Sequence, residues 1–291
     1  MSGGIWQKAS NMYSHVLTGG DPRTQSWFLV HSPLPTLLVV ALYLLVVKYG
    51  PRFMANRKPA GDLRKAIIIY NFTLVIWSVY MFYEFTAVAI LQRYSWICQH
   101  MDLSNNWLSL RIAECFWWYY FSKIVELLDT MFFILRKKFG QVSFLHVYHH
   151  STMPILMWLC VKYYAGGNCF IVGILNSLIH IFMYGYYALS ALGPHMHKYL
   201  WWKPYLTIAQ LVQLGAILIH SLVNRYVDCK SYPYQYNYLA IVYCSSLIGL
   251  FANFYYRAYY RTPSKISSPN PTKTIGDSMN TNGKSRYIKR D

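Results

Sequence analysis

The chain has 291 residues, 55% of them hydrophobic and only 13% charged, with a formal net charge of +17. Mean hydropathy is positive, at +0.21. Soluble domains carry about a quarter of their residues as Asp, Glu, Lys or Arg, so this composition excludes a sizeable water-facing domain. The excess positive charge is confined to alternate loops and a tail, which argues against a nucleic-acid partner and for a membrane topology.

In chain order, residues 1–32 come first and are too polar for a cleavable signal peptide, so the first apolar run is expected to act as the insertion signal. Seven apolar runs approach the roughly 20 residues that cross a bilayer: 33–50, 66–90, 112–135, 145–164, 169–192, 204–224 and 236–260. The fourth and sixth are the least uniformly apolar. The expectation is an all-α, polytopic membrane domain of seven transmembrane helices over 33–260. The tail, 261–291, is rich in Ser, Pro, Asn, Thr and Lys and reads as disordered. Its last residues, YIKRD, are only a partial relative of the dilysine signal for endoplasmic reticulum retrieval. No internal repeat is evident, and nothing in the sequence signals an oligomeric state.

Basic residues fix the orientation. Segments 48–65, 136–138, 193–203 and 257–291 hold nineteen of the 27 Lys and Arg; the alternate segments hold seven, and Lys123 lies inside a span. Basic loops stay on the cytosolic side, which puts the N-terminus in the lumen or exterior and the tail in the cytosol. Cys98 and Cys229 both fall in non-cytosolic loops, where oxidation can join them; two free thiols are the alternative. Cys115, Cys160 and Cys244 read as small apolar residues in spans. Asn71-Phe72-Thr73 matches the glycosylation pattern but lies in the second span and should stay unmodified. Glu84, in the same span, suggests an interhelical hydrogen bond and nothing more.

Charged side chains in a span cost about 2.5–3.5 kcal/mol each on the insertion scale, so their presence needs a reason. The third span reads "KIVELLDT". On a continuous helix Lys123, Glu126, Asp129 and Thr130 fit within about 120° of arc. The fourth opens "HVYHH", placing His146, His149 and His150 on one face. The fifth, "NSLIHIFMYGYY", sets Asn176, His180 and Tyr184 at i+4 steps. The sixth, "TIAQLVQ", sets Thr207, Gln210 and Gln213 at i+3 steps. Each set alone reads as an ion-paired brace, a satisfied core group or an interhelical hydrogen bond. The charge map, however, places all four in the cytosolic half of the membrane, and unrelated braces need not share a depth. One common site is the expectation.

Histidine-rich sites bind metals or handle protons and acyl groups. HxxHH is also a box of membrane di-iron desaturases, which use more histidines in several boxes. Here His15, His31 and His100 lie on the wrong side and His220 near it, while His195 and His197 fall in a cytosolic loop. That leaves the di-iron reading remote, and no metal is expected. A seven-span receptor or lipid carrier without catalysis is the other alternative.

"KIVELLDT", "HVYHH", "HIFMY" and "TIAQLVQ" match, in order, the KxxExxDT, HxxHH, HxxMY and TxxQxxQ boxes of the very-long-chain fatty acid elongases, the fatty acyl-CoA condensing enzymes. The resemblance runs from about residue 25 to 262. Stretches such as "FILRKKFGQVSFLHVYHHSTM" and "KYLWWKPYLTIAQLVQ" look like the animal branch. It implies that acyl-CoA and malonyl-CoA give 3-ketoacyl-CoA, carbon dioxide and CoA in the endoplasmic reticulum membrane. Reductases and a dehydratase then complete the cycle, and no cofactor is needed. It also implies that spans two to seven form a helical barrel around a closed acyl tunnel, with the first span outside.

By the same resemblance, His149 is the acyl carrier. The residues agree: no cysteine sits in a polar cluster, and a neutral imidazole can attack a thioester. His150, His146 and His180 are then proton handlers and donors to the thioester oxygen. Glu126 and Asp129 orient imidazoles, and Lys123 neutralises those carboxylates or meets the malonyl carboxylate. Asn176, Gln210 and Gln213 donate hydrogen bonds on the substrate side, with Thr207 on the same face as the glutamines. Tyr184 is a donor there or an interface aromatic.

Overall fold

A computed structural model describes residues 3–61, 63–229 and 234–260, and the predicted tail, 261–291, lies outside the described residues. In order, the helices are α1 (Gly3–Thr18), α2 (Leu34–Ala55), α3 (Arg64–Leu91), α4 (Trp107–Val125), α5 (Leu128–Leu135), α6 (Phe144–Tyr163), α7 (Cys169–Ala191), α8 (Lys203–Tyr226) and α9 (Tyr234–Tyr255). No strand occurs among the described residues. Pro35 and Pro204 sit in the first turns of α2 and α8, where a missing N–H costs nothing. Asn106 caps α4 by accepting from the Ser109 N–H, and Ser143 caps α6 by accepting from the His146 N–H. The Ser143 cap starts the helix so that the HVYHH residues fill its first two turns.

Five helical stretches are long and apolar enough to cross a membrane: Leu34–Ala55, Arg64–Leu91, Cys169–Ala191, Lys203–Tyr226 and Gln235–Tyr259. The third predicted span is not one helix. It breaks at Glu126 and Leu127 into α4 and α5, because the Asp129 N–H turns to the Glu126 carbonyl, three residues back, at 3.2 Å. Ahead of α2, α1 is followed by a segment that docks onto the bundle.

Lipid is as apolar as leucine, so helices here associate by close packing and polar ties rather than by hydrophobic burial. α3 lies along α7 over much of its length, α8 along α9, and α4 against α6. Gly173 is the point of closest approach: a Cβ there would come within 2.6 Å of the Phe85 ring. That ring is itself held edge-on by Phe116 and Tyr119, at centroid distances of 4.9 and 5.9 Å.

Two ends result. At the basic end, Lys137 Nζ donates to the carbonyls of Ala55 and Arg57, and the Arg64 guanidinium donates to those of Ala191 and Leu192. At the other end a disulfide joins Cys98 to Cys229, with Cα atoms 5.7 Å apart. Beside it Asn168 accepts from the Gln99 N–H at 2.7 Å and donates to Asn224. The segment between α1 and α2 closes over this disulfide end. Arg23, paired with Asp21 at 2.6 Å, donates to the carbonyls of Ser109 and Ala165. Thr24 donates to the Val161 carbonyl, Lys162 to those of Leu17 and His31, and Val30 is wholly buried in the core.

Candidate active site

The break between α4 and α5 shapes the site. It puts Lys123 and Glu126 on the last turn of one helix and Asp129 and Thr130 on the first turn of the next. The Tyr70 hydroxyl of α3 donates to the Val125 carbonyl at 3.3 Å, next to the break. Irregular backbone among apolar helices is tolerated where protein packs against it, as α3 does here.

Lys123 and Glu126 are 1% and 2% exposed, so the pair must be satisfied inside the protein. Lys123 Nζ donates to Glu126 Oε1 at 2.7 Å and to Asn176 Oδ1 at 3.2 Å, and lies 4.6 Å from the centre of the Tyr119 ring. The Tyr119 hydroxyl donates to the same Asn176 oxygen at 2.6 Å, and Ser122 donates to Glu126 at 3.3 Å. His180 Nδ1 stands 3.4 Å from both Lys123 Nζ and Glu126 Oε1. It therefore accepts from the ammonium or donates to the carboxylate according to tautomer. One turn on, Tyr184 donates to Asp129 at 3.2 Å. Through these bonds α4 and α5 lock onto α7.

Thr130 carries the connection to α6. Its hydroxyl meets His146 Nε2 at 2.7 Å and the Tyr43 hydroxyl of α2 at 3.1 Å. His146 lies against His150, with ring centres 4.1 Å apart, and His150 against His149 at 5.4 Å. Among the described residues, the ring nitrogens of His149 and His150 take no hydrogen bond from the protein, whereas those of His146 and His180 do. The structure thus forms two groups, Lys123, Glu126, Asn176, His180, Tyr184 and Asp129 across α4, α5 and α7, and Thr130 with the three HVYHH histidines across α5 and α6, joined where Asp129 and Thr130 are neighbours in the chain.

The α8 residues stand apart from these direct ties. Thr207 and Gln213 are buried, and Gln210 Nε2 reaches Met183 Sδ of α7 at 3.7 Å. No direct hydrogen bond joins any of the three to the histidines among the described residues. Sequence reasoning missed Tyr119, Ser122 and Tyr70. Tyr119 is one turn ahead of Lys123, but it is hidden inside the aromatic run "FWWYYF". Glu84, expected to make an interhelical hydrogen bond, accepts two from Arg111 of α4, at 2.5 and 2.9 Å. Asn71 is buried and donates to the Ile67 carbonyl. Among the described residues, no three His, Cys, Asp or Glu side chains are grouped as metal ligands.

The arrangement offers a lysine–carboxylate pair that fixes one imidazole, a threonine that fixes a second, and two further imidazoles left open. That is acid–base and nucleophile chemistry at a buried polar centre. Comparison with known proteins points the same way. The family model described as ELO: GNS1/SUR4 family matches residues 28–267. The human protein named very long chain fatty acid elongase 4 is 47% identical over 270 residues, covering 93% of this chain and 84% of its own. Very long chain fatty acid elongase 7 of Drosophila melanogaster is 43% identical, over 84% of this chain and 74% of its own. Very long chain fatty acid elongase 1 of Mus musculus is 43% identical, over 86% and 90%.

Proposed function

The chain belongs to the ELO (GNS1/SUR4) family, and from that premise we propose that it is the condensing enzyme of very-long-chain fatty acid elongation, working through an acyl group carried on His149. It joins a long-chain acyl-CoA to malonyl-CoA and releases 3-ketoacyl-CoA, carbon dioxide and CoA. The observation that supports the mechanism is the contrast among the imidazoles: His146 and His180 are held by Thr130 and by Lys123–Glu126, while His149 and its neighbour His150 are left open.

In the first half, a His149 ring nitrogen attacks the acyl thioester carbonyl. The C–S bond breaks, and CoA leaves as a thiolate that takes the proton given up by the acylated His149 ring, relayed through His150, the nearest imidazole, so that a neutral acyl-imidazole remains. In the second half, malonyl-CoA loses carbon dioxide. The electron pair of the broken C–C bond becomes an enolate, which attacks the acyl carbon. The C–N bond breaks, and the released imidazole nitrogen takes up one proton from solvent through the neighbouring histidines, which restores neutral His149. Lys123 and His180 supply positive charge and a proton beside the developing oxyanion, with Glu126 holding both and Asp129 held by Tyr184. Gln210, Gln213 and Thr207 line the substrate side from α8. No resident metal or cofactor takes part.

In the membrane, α4–α5 and α6 cross together with the five apolar stretches, making seven spans. Those after α2 form a barrel around an acyl tunnel, with α2 outside. The basic end faces the cytosol and gathers the anionic CoA groups, and the disulfide end faces the lumen of the endoplasmic reticulum. Reductases and a dehydratase act on the product.

The test has two readings. Purified protein given long-chain acyl-CoA alone should gain the mass of one acyl group, mapped to His149. Adding malonyl-CoA labelled in its free carboxyl should then release labelled carbon dioxide. No label release would sink the condensing reaction, and an acyl group mapped elsewhere would sink the role of His149.

A further inference from the structure

At the disulfide end, on the outer wall of the bundle, a groove of about 290 Å³ is lined by Trp27, Phe28, Glu114, Trp117 and Trp118. Four of its five walls are aromatic and the fifth is a carboxylate. Glu114 is exposed and, among the described residues, has no hydrogen-bond or ion-pair partner. The nearest cation in sequence, Arg111, is spent on Glu84 through both prongs of its guanidinium. The groove is built rather than incidental, since Trp117 Nε1 donates to the Phe28 carbonyl at 2.9 Å and pins the segment before α2 against α4.

Depth decides what can fill it. Glu114 lies seven residues into α4, about 10 Å along the axis from Trp107. Trp107 and Trp96 are exposed at the same end, as expected of an aromatic belt at headgroup level. A lone carboxylate at the edge of hydrocarbon is costly unless a cation meets it. Aromatic walls around a carboxylate are the recognition chemistry of quaternary ammonium groups.

We propose that Glu114, Trp27, Phe28, Trp117 and Trp118 form a binding site for the choline headgroup of a phospholipid in the leaflet at the disulfide end. The trimethylammonium sits among the rings with its charge against Glu114, and the acyl chains run down the outer face of α4. The bound lipid braces the segment before α2, which closes that end of the bundle. This site lies outside the polar centre of the condensing reaction and stands independently of it.

The full chain, purified in detergent, is equilibrated with equal amounts of phosphatidylcholine and phosphatidylglycerol of identical acyl composition. Lipid retained on the protein is then counted by native mass spectrometry. Choline lipid should be retained over glycerol lipid by about five-fold, the scale of a partly desolvated cation–aromatic contact. Glu114→Gln should bring the ratio near one and Trp118→Leu should lower it, both with unchanged condensation. A ratio near one for the unaltered chain, or a ratio indifferent to Glu114→Gln, overturns the site. Phosphatidylethanolamine retained as well as phosphatidylcholine overturns the quaternary ammonium assignment. A melting curve of Glu114→Gln that matches the parent shows that its ratio reports on binding and not on folding.

Discussion

The two ends of the bundle use the same parts in opposite ways. Each holds a buried cation paired with a carboxylate: Lys123 with Glu126 towards the basic end, Arg23 with Asp21 at the disulfide end. Arg23 spends its remaining donors on backbone carbonyls, of Ser109 and Ala165. Lys123 spends its own on side chains, Asn176 and His180. Backbone acceptors cannot move without unfolding, so the Arg23 cluster is a lock. Side-chain acceptors can trade partners and protons as charge develops on a substrate, so the Lys123 cluster can take part in chemistry. A buried ion pair by itself says little about role; what the pair is bonded to says more.

Substitutions can break or sharpen this contrast. The largest effect should come from His149→Ala, with kcat lowered about a thousand-fold or more and the melting temperature within a degree or two, because no protein group bonds to that ring. A variant that condenses at full rate would remove the acyl carrier. Arg23→Met should do the reverse. It leaves Asp21 buried without its cation, at about 3 kcal/mol of stability, while the folded fraction keeps its turnover. A fall in kcat without a fall in melting temperature would mean that the lock is part of the chemistry. Next, replacing Cys98 and Cys229 together by Ser should cost about 2 kcal/mol in thermal unfolding and again spare kcat. Smallest should be Thr130→Val, which keeps shape but frees His146. Losing that hydrogen bond, worth about 1 kcal/mol, should lower kcat about five-fold with KM unchanged. No change in kcat would leave His146 outside the reaction.

The candidate site residues stood out in sequence for a physical reason: a polar residue in an apolar run is visible against its background, and Lys123, Glu126, His146, His149 and His180 all are. The charge map led to the expectation of one shared depth, and in the structure Lys123, Glu126 and His180 stand within hydrogen-bond reach of one another. The break at Glu126 was not legible. Neither proline nor glycine marks it, and the arc drawn for an unbroken helix misplaces Asp129 and Thr130 relative to Lys123. The partner of Glu84 was hidden because Arg111 lies 27 residues away on a separate helix. The docking of Asp21, Arg23 and Thr24 was hidden too, since a short polar segment before a span looks the same whether it floats in water or folds back. The helical class was read from runs of apolar residues, and the first, second, fifth, sixth and seventh of those runs are the ones the structure supports by length and composition.

Gly173 carries a consequence of its own. The Phe85 ring it touches is wedged between two other rings and has nowhere to retreat, so even a single methyl at position 173 must be absorbed by sliding α7 outward. Asn176 and His180 ride on that same helix, one and two turns further along. A position outside the polar centre would thereby act as a spacer, and the smallest enlargement there should detune the reaction from a distance.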